Sequence, residues 1–312
     1  MREFKIDFNK TLKPILLIYI AIFIVGTIMS FVWGVDLDIN FRGGTKISCS
    51  YTGEIADKDI KTIVDKHINK KYELTKSTAI AGDTKSFEIS LVGKDSVPAK
   101  TQENLKKDFI EKFKDNGVTD KSISSNSVSP TVAGTFFLKS MVAVIITAIL
   151  VIIYVGIRFR RIGGVSAALT ALAALVFDIL ITFFTCVIFR LQIDSNYIAV
   201  VLTILGYSLN DTIVIYDRVR ENKRFNPDME IGGLVNMSVN KVMVRNIVTT
   251  VTTLLAVITI VVVSELFGLT TLRTFAIPMA FGLLSGAISS LFISGPLWVI
   301  WRRYKEKKEA KR

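Results

Sequence analysis

The chain has 312 residues, of which 50% are hydrophobic and 21% charged. The apolar residues are concentrated in long stretches, a composition typical of an integral membrane protein. The chain contains one histidine, His67, and two cysteines, Cys49 and Cys186. These are too few for a Cys/His zinc cluster, and they argue against a histidine-based triad. The two cysteines fall on opposite sides of a predicted membrane boundary, so we expect no disulfide between them.

The net charge of +12 is unevenly distributed along the chain. Residues 34–135 carry 16 Lys/Arg and 15 Asp/Glu, so the excess belongs to the apolar part and its tails. Positive charge that flanks apolar stretches is a signal of membrane topology. We therefore expect membrane lipid around the apolar part. We expect no nucleic-acid partner.

Six apolar stretches are long enough to cross a bilayer, which takes about 20 residues. The predicted spans are Ile15–Val32, Ser140–Ile157, Ile162–Phe189, Tyr197–Tyr216, Asn246–Ser264 and Thr274–Trp301. Residues 33–36 (WGVD) lack the small-residue pattern of a signal-peptide cleavage site, so we expect a retained anchor. The domain boundaries follow: an N-terminal segment (1–14), the first span (15–33), an external domain (34–135), five spans (136–301) and a basic tail (302–312).

Lysine and arginine predict the orientation of these spans. If the N-terminus is inside, the inner side carries twenty of these residues, whereas the short outer loops hold Arg190 and Arg273. We therefore expect a multi-pass protein of the cytoplasmic membrane with both termini in the cytoplasm.

The segment between the first two spans predicts one small α+β domain. Strands are expected at Phe41–Tyr51, Glu73–Ala81, Ser86–Val92 and Val118–Val128, with a turn at Gly82-Asp83. Helices are expected at Ala56–Tyr72 and Pro98–Lys114. The order β-α-β-β-α-β is that of a ferredoxin-like domain. The predicted fold is thus an α-helical membrane protein with six transmembrane helices and one small ferredoxin-like extracytoplasmic domain between helices 1 and 2. His67 is expected to be a solvated surface residue.

The longest inner connection, Asp217–Lys241, mixes charged and apolar residues. Two interpretations fit this pattern equally, an amphipathic helix at the membrane interface and a solvated loop.

Two carboxylates lie inside the predicted spans, Asp178 in the third and Asp211 in the fourth. Ionisable residues in a span are costly and indicate function. The spacing of Thr203, Tyr207, Asn210 and Asp211 predicts one polar helix face. The polar residues expected to support these carboxylates are Thr203, Tyr207, Ser208, Asn210, Thr212 and Thr249.

Arg245, at the start of the fifth span, is the natural partner of such a carboxylate. A carboxylate that alternates between an arginine and a proton or Na⁺ is a minimal ion-coupling device. The alternatives are a static buried ion pair that fixes helix packing, an Arg245 that merely follows the positive-inside rule, and an Asp178 that serves helix–helix hydrogen bonding.

Other motifs indicate packing. Gly282 and Gly286 form a GxxxG motif in the sixth span, where Pro278 and Pro296 can introduce kinks. Gly43-Gly44 is not followed by the residues of a phosphate-binding loop, so we expect no ATP site, no metal site and no cofactor.

Residues 206–222 read GYSLNDTIVIYDRVREN and resemble the fourth-span signature of the SecD/SecF family, in its SecF version. Further similarities are Ser238-Val239-Asn240 with Arg245 and Thr249-Thr250, VSPTV at 128–132, and Phe41-Arg42-Gly43-Gly44 with Thr45. The chain departs from the family at Asn40 and Arg42, where the usual motif is Asp-Phe-Thr-Gly-Gly.

The resemblance implies half of an RND-type unit that works with SecD. Asp211 would carry H⁺ or Na⁺ as the coupling ion, Arg245 would modulate it, and Asp178 matches an aspartate often present in the third span. Ion entry would drive external domains that pull an unfolded preprotein outward from the SecYEG channel, with no covalent chemistry.

Three other hypotheses stay open. The chain could be half of an RND-type small-molecule or lipid transporter, although an external domain of about 100 residues is small for the porter domains of such a pump. It could be a non-coupling scaffold of the translocon, in which case Asp211→Asn would cost little. An intramembrane protease is the weakest, since neither aspartate lies in a recognisable protease motif.

Overall fold

The computed structural model describes residues 6–68, 72–78, 84–92 and 97–309. Within these ranges, six helical segments are long and apolar enough to cross a membrane, which agrees with the predicted number. The first five are α1 (Phe8–Trp33), α5 (Pro130–Arg158), α6 (Gly164–Ile188), α7 (Ser195–Phe225) and α8 (Ile231–Phe267). The sixth consists of α9 (Thr270–Ser289), a π-helical turn (Ser290–Ser294) and α10 (Gly295–Glu309).

Most of these helices extend well beyond the predicted apolar stretches, because hydropathy detects only the part in the hydrocarbon. The connection predicted over 217–241 is therefore largely helical. Residues 217–225 continue α7 and residues 231–241 begin α8, so the break is limited to residues 226–230. The solvated loop is therefore wrong, whereas the helix expected for part of this connection is present as the first turns of α8.

Between α1 and α5, the described residues contain four strands and three α-helices, and we call this segment the external domain after its predicted position. The strands are β1 (Gly44–Thr52), β2 (Glu73–Thr78), β3 (Thr84–Val92) and β4 (Ile123–Val128). The helices are α2 (Ile39–Arg42), α3 (Asp57–His67) and α4 (Ala99–Lys112). Helix α3 follows β1, and α4 follows β3, as the sequence predicted. The predicted turn at Gly82-Asp83 lies outside the described residues.

The four strands form one sheet in the order β2-β3-β1-β4, with every neighbouring pair antiparallel. In β1, Ile47 pairs with Ile89 of β3, and these two side chains are buried under α3 and α4. The prediction of a strand from residue 41 was wrong, since Phe41 and Arg42 belong to the short helix α2. Gly43 (φ +77°) then redirects the chain into β1.

His67 is not a freely solvated residue. Its Nε2 lies 2.8 Å from Asp108 Oδ2 on α4, and its side chain is 17% exposed. Lys66 Nζ donates to the same carboxylate oxygen at 2.9 Å. The prediction failed because the partner of His67 lies 41 residues away in sequence, on a helix that the fold places alongside α3.

The external domain is docked on the membrane part through backbone and side chains. The Asp38 N–H donates to the Ile193 carbonyl at 3.0 Å, and the Ile193 N–H donates to Asp36 at 2.9 Å. Lys46 of β1 donates to Gln192 at 3.2 Å, in the connection between α6 and α7. These contacts fix the sheet relative to the ends of two spanning helices.

Helices α6, α7 and α9 form the centre of the membrane part, whereas α1, α5 and α8 expose most of their apolar surface. The glycines of the GxxxG motif allow the central helices to approach closely. A Cβ atom on Gly282 would lie 2.1 Å from Ile204 Cδ1 and 2.7 Å from Thr182 Oγ1, and one on Gly286 would lie 3.0 Å from Ser208 Cβ. The packing role predicted for this motif is confirmed.

Candidate functional site

Asp178 lies at the centre of the helix bundle and is 0% exposed. Its carboxylate accepts three hydrogen bonds, from Ser285 Oγ to Oδ1 at 2.6 Å and from Ser208 and Ser289 to Oδ2 at 2.7 and 3.0 Å. Ser285 and Ser289 are four residues apart on α9 and therefore lie on one face of that helix. Three helices thus contribute to one buried polar site, which we call the Asp178 cluster (Asp178, Ser208, Ser285 and Ser289).

Two further residues extend the Asp178 cluster. The Tyr19 hydroxyl of α1 lies 3.0 Å from Ser285 Oγ, so a fourth helix is connected to it. Thr182, one turn after Asp178, donates to the Asp178 backbone carbonyl at 2.8 Å. Thr182 therefore satisfies its own hydroxyl within α6 and does not contact the carboxylate.

Asp211 occupies a different environment on α7. It is 2% exposed, and its Oδ2 atom is buried with no hydrogen-bond partner among the described residues. Asn246 of α8 is also buried, and its Nδ2 atom likewise lacks a partner in the part of the chain that the structure describes. Unpaired buried polar groups are costly and rare, and they often mark functional positions.

Arg245 lies on α8 immediately before Asn246, and its side chain is exposed on the surface of the bundle. Between the described residues, no ion pair within 4.0 Å joins Arg245 to a carboxylate, so the expected contact with Asp211 is not formed. Helices α7 and α8 pack against each other, so Asp211 and Arg245 lie on neighbouring helices without being in contact.

The predicted polar face of α7 is divided in the structure. Asp211 points into the bundle, whereas Thr203 and Asn210 are exposed on its surface. Tyr207 lies between them and donates to Thr253 of α8 at 3.3 Å. The single-face prediction was wrong because Asn210 and Asp211 are consecutive residues, which differ by about 100° around a helix.

The remaining predicted residues have separate roles. Ser208 donates to Asp178. Thr212, the residue after Asp211, is buried. Thr249 donates to the Arg245 carbonyl at 2.8 Å and so satisfies its hydroxyl within α8. The structure thus places Ser208 with Asp178 rather than with Asp211.

Along the outer surfaces of α7 and α8, beside exposed apolar residues of α8 such as Val248 and Leu255, lies a line of small and polar residues. They recur at spacings of three and four, exposed or half-exposed, and we call them the α7–α8 stripe. On α7 and α8 they are Ala199, Thr203, Gly206, Asn210, Arg245, Thr249, Thr252, Ala256 and Thr259. Close packing of small residues and interhelical hydrogen bonds are what join helices within a bilayer.

The motif Phe41-Arg42-Gly43-Gly44 lies far from the buried carboxylates, at the entry to the external domain. Phe41 packs on Phe136 of α5, with ring centroids 5.4 Å apart, and Arg42 donates to the Val35 carbonyl at 3.0 Å. A Cβ on Gly43 would lie 2.9 Å from Pro130 Cα. In this structure the motif packs the segment that enters the external domain against the start of α5, where the chain leaves it.

Sequence reasoning missed Ser285, Ser289 and Tyr19. A signal existed, since Ser285 and Ser289 are spaced as one helix face within an apolar span. Serine is common in membrane helices, however, and its spacing does not identify the partner. That these hydroxyls meet Asp178 depends on how α6 and α9 pack.

The fold and these residues define a polytopic membrane protein with two carboxylates inside its helical bundle. Comparison with known proteins identifies the family, since a model described as protein export membrane protein SecD/SecF, C-terminal, matches residues 108–304. The chain therefore belongs to the SecD/SecF family.

Individual relatives agree with this assignment. The chain is 33% identical to protein translocase subunit SecF of Petrotoga mobilis over 97% of this chain and 99% of the relative. It is 33% identical to protein translocase subunit SecDF of Bacillus subtilis over 98% of this chain but only 39% of that longer protein. The crystal structure of SecDF, a translocon-associated membrane protein from Thermus thermophilus, superposes with a TM-score of 0.80 at 23% identity, over 96% of this chain and 39% of that one.

Proposed function

We propose that the chain is a SecF-type subunit of the bacterial Sec translocase, which uses an ion gradient to support late steps of protein export. The observation that carries this proposal is Asp211, a buried intramembrane carboxylate with one oxygen unpaired among the described residues, in a chain of the SecD/SecF family. A charged group in that position is stable only when it gains a proton, a cation or an arginine. This requirement makes Asp211 responsive to ions that enter from outside.

Arg245 is the proposed modulator of Asp211. Because opposite charges attract, an ionised Asp211 draws the guanidinium of Arg245 on the neighbouring helix. When Asp211 takes up H⁺ or Na⁺, that attraction is lost, and α7 and α8 are free to change their relative position. Asp178 is proposed as a second ion-responsive carboxyl. No covalent step is part of this mechanism.

We propose SecD as the partner in the membrane, and the α7–α8 stripe as the surface that it covers. The names of longer relatives support this, because SecDF proteins combine a SecD part and a SecF part in one chain. Gly206 supports it physically, because a Cβ at this position would meet no atom of the described residues within 4 Å. Space left open beside polar residues in a bilayer suits a second helical bundle better than lipid.

We propose that residues 34–135 form a ferredoxin-like domain on the outer side, where it contacts unfolded preprotein that leaves the SecYEG channel. The sheet order β2-β3-β1-β4, with helices after β1 and β3, supports this class of fold. The basic inner connections support an orientation with both termini in the cytoplasm. The domain division follows: 1–14 and 302–312 inside, 15–33 and 136–301 in the membrane.

The proposed coupling is tested by export of a secreted reporter in cells whose only copy carries Asp211→Asn. We expect export to fall to the level of a deletion strain, because the amide cannot ionise or exchange an ion. The matched control is Asp228→Asn, which removes an exposed carboxylate from the connection between α7 and α8 and should export normally.

The same strains are then measured with a proton ionophore and with the Na⁺ gradient removed. The treatment that abolishes wild-type export identifies the coupling ion. Normal export by Asp211→Asn under both conditions would contradict coupling and favour a scaffold that only stabilises the translocon.

A further inference from the structure

Asp178 combines complete burial with the absence of a cationic partner. Within the described ranges, no lysine, arginine or histidine nitrogen lies within 4.0 Å of its carboxylate. Its neighbours are three hydroxyls, which carry no charge that could offset an ionised carboxylate. A buried charge without a counter-charge is strongly disfavoured, so the neutral acid is a stable alternative at this position.

Hydroxyl partners can serve both forms of the acid. The ionised carboxylate accepts from Ser208, Ser285 and Ser289, which is the arrangement that the distances of 2.6 to 3.0 Å describe. When the acid is protonated, its O–H donates to one serine, which rotates its own hydroxyl and becomes an acceptor. An arginine in place of these serines could serve only as a donor towards the carboxyl oxygens.

The titratable groups around Asp178 are few. From α1, Tyr19 reaches the Asp178 cluster through Ser285, and from α7, Asp211 follows Ser208 by three residues. From α9, the groups that face the carboxylate are the serine hydroxyls. Ser289 directly precedes the π-helical turn Ser290–Ser294, an irregularity that is often found at functional sites.

We propose that Asp178 is a reversible proton-binding site, distinct from the site at Asp211 and enclosed by three serine hydroxyls. A proton fits better than Na⁺ because the carboxylate and hydroxyl oxygens are in direct hydrogen-bond contact, and a metal ion would have to separate them. Protonation changes which hydrogen bonds join α6 to α7 and α9. The inference deepens the proposed ion coupling. The role of the proton site rests on that proposal, whereas its experimental test does not.

The test is infrared spectroscopy of the full chain in lipid nanodiscs across a pH series. The readout is the carbonyl stretching band of a protonated carboxyl, which an ionised carboxylate lacks. We expect a band whose intensity changes with pH, which Asp211→Asn retains and Asp178→Asn loses. Because this readout is independent of export, it separates the proton site from the coupling proposed at Asp211.

Asp178→Asn could fail to fold, so Ser285→Ala provides a second measurement. It keeps the carboxyl and removes the partner of Oδ1, so the band should persist and move to higher frequency, since the C=O bond is then less hydrogen-bonded. A band independent of pH, the absence of any Asp178 band throughout the pH series, or a band that Na⁺ removes at constant pH would each overturn the proposal.

Discussion

Asp178 and Asp211 carry the same functional group on neighbouring helices, but they are satisfied to different degrees. Asp178 has hydrogen bonds to both oxygens, whereas Asp211 has a buried oxygen for which the described residues supply no partner. Asp178 is therefore held by its neighbours, whereas the hydrogen bonding of Asp211 within these residues is incomplete. The two positions are thus suited to different events within one bundle.

In the external domain, Asp108 provides a measurable pH dependence. Hydrogen bonds from Lys66 and then from His67 hold the pKa of Asp108 below its ordinary value. A carboxylate with a lowered folded pKa contributes stability above its unfolded pKa of about 4, and this contribution is lost as the pH falls through the folded pKa. Asp108→Asn should therefore destabilise the domain near neutral pH and have little effect in acid.

Because Asp108 and its partners are partly exposed, we expect the free energy of unfolding to fall by less than about 1 kcal/mol. The measurement is amide hydrogen exchange of α3 and α4 in the full chain, with variant and wild type compared at each pH. Asp115→Asn, an exposed residue outside these contacts, is the control. Equal protection of wild type and Asp108→Asn at neutral pH would show that the contacts of Asp108 with Lys66 and His67 do not stabilise the domain.

The residues themselves could be predicted more readily than their contacts. Asp178 and Asp211 are detectable because a charge in an apolar span is rare. Their partners are not, since Ser285 follows Asp178 by 107 residues and reaches it only through helix packing. The missing contact between Arg245 and Asp211 is also a matter of side-chain position, which spacing along a helix does not determine.

At the scale of helices and strands, the sequence predicted the number and type of the elements but not their ends. Hydropathy gives the apolar part of a span, so it predicts a connection where polar turns continue α7 and α8. In the external domain, the pattern predicts a strand from Phe41 where the structure has the short helix α2, because Phe41 is apolar and precedes a regular strand. Element ends depend on local turns that hydrophobic periodicity does not detect.

Close packing of α9 predicts the effect of a single methyl group. In Gly282→Ala the new Cβ would meet Ile204 and Thr182 below normal contact distances, so these side chains must move. We expect a loss of about 1–3 kcal/mol, typical of overpacking, measured by thermal unfolding in detergent. Gly134→Ala, where nothing lies within 4 Å of the new Cβ, should leave the midpoint nearly unchanged. Equal midpoints for both variants would contradict this packing.

The molecule as a whole presents two kinds of outer surface along its spanning helices. The α7–α8 stripe contains threonine, glycine and asparagine, whereas α1, α5 and the rest of the exposed surface of α8 present large apolar residues. A bundle with both kinds of surface has one side for lipid and another for protein. Complementarity with SecD is the proposed explanation, and it is testable without any assay of export.

Gly206→Leu should prevent co-purification with tagged SecD, because a large side chain would fill space that the partner occupies. The matched control is Gly156→Leu on α5, since a Cβ at either glycine meets nothing within 4 Å of this chain. Both variants should fold, and only the first should lose SecD. Retention of SecD by Gly206→Leu would place the interface elsewhere.

Gly43 packs against Pro130, so the segment that enters the external domain touches the segment that leaves it. A body attached at two adjacent points can swing about one pivot, whereas widely separated attachments would clamp it. The two chain connections alone would therefore leave the sheet free to turn about a point between α1 and α5. The backbone bridge between Leu37 and Ile193 supplies a second, separate point of attachment, so the connection between α6 and α7 also sets the orientation of the domain.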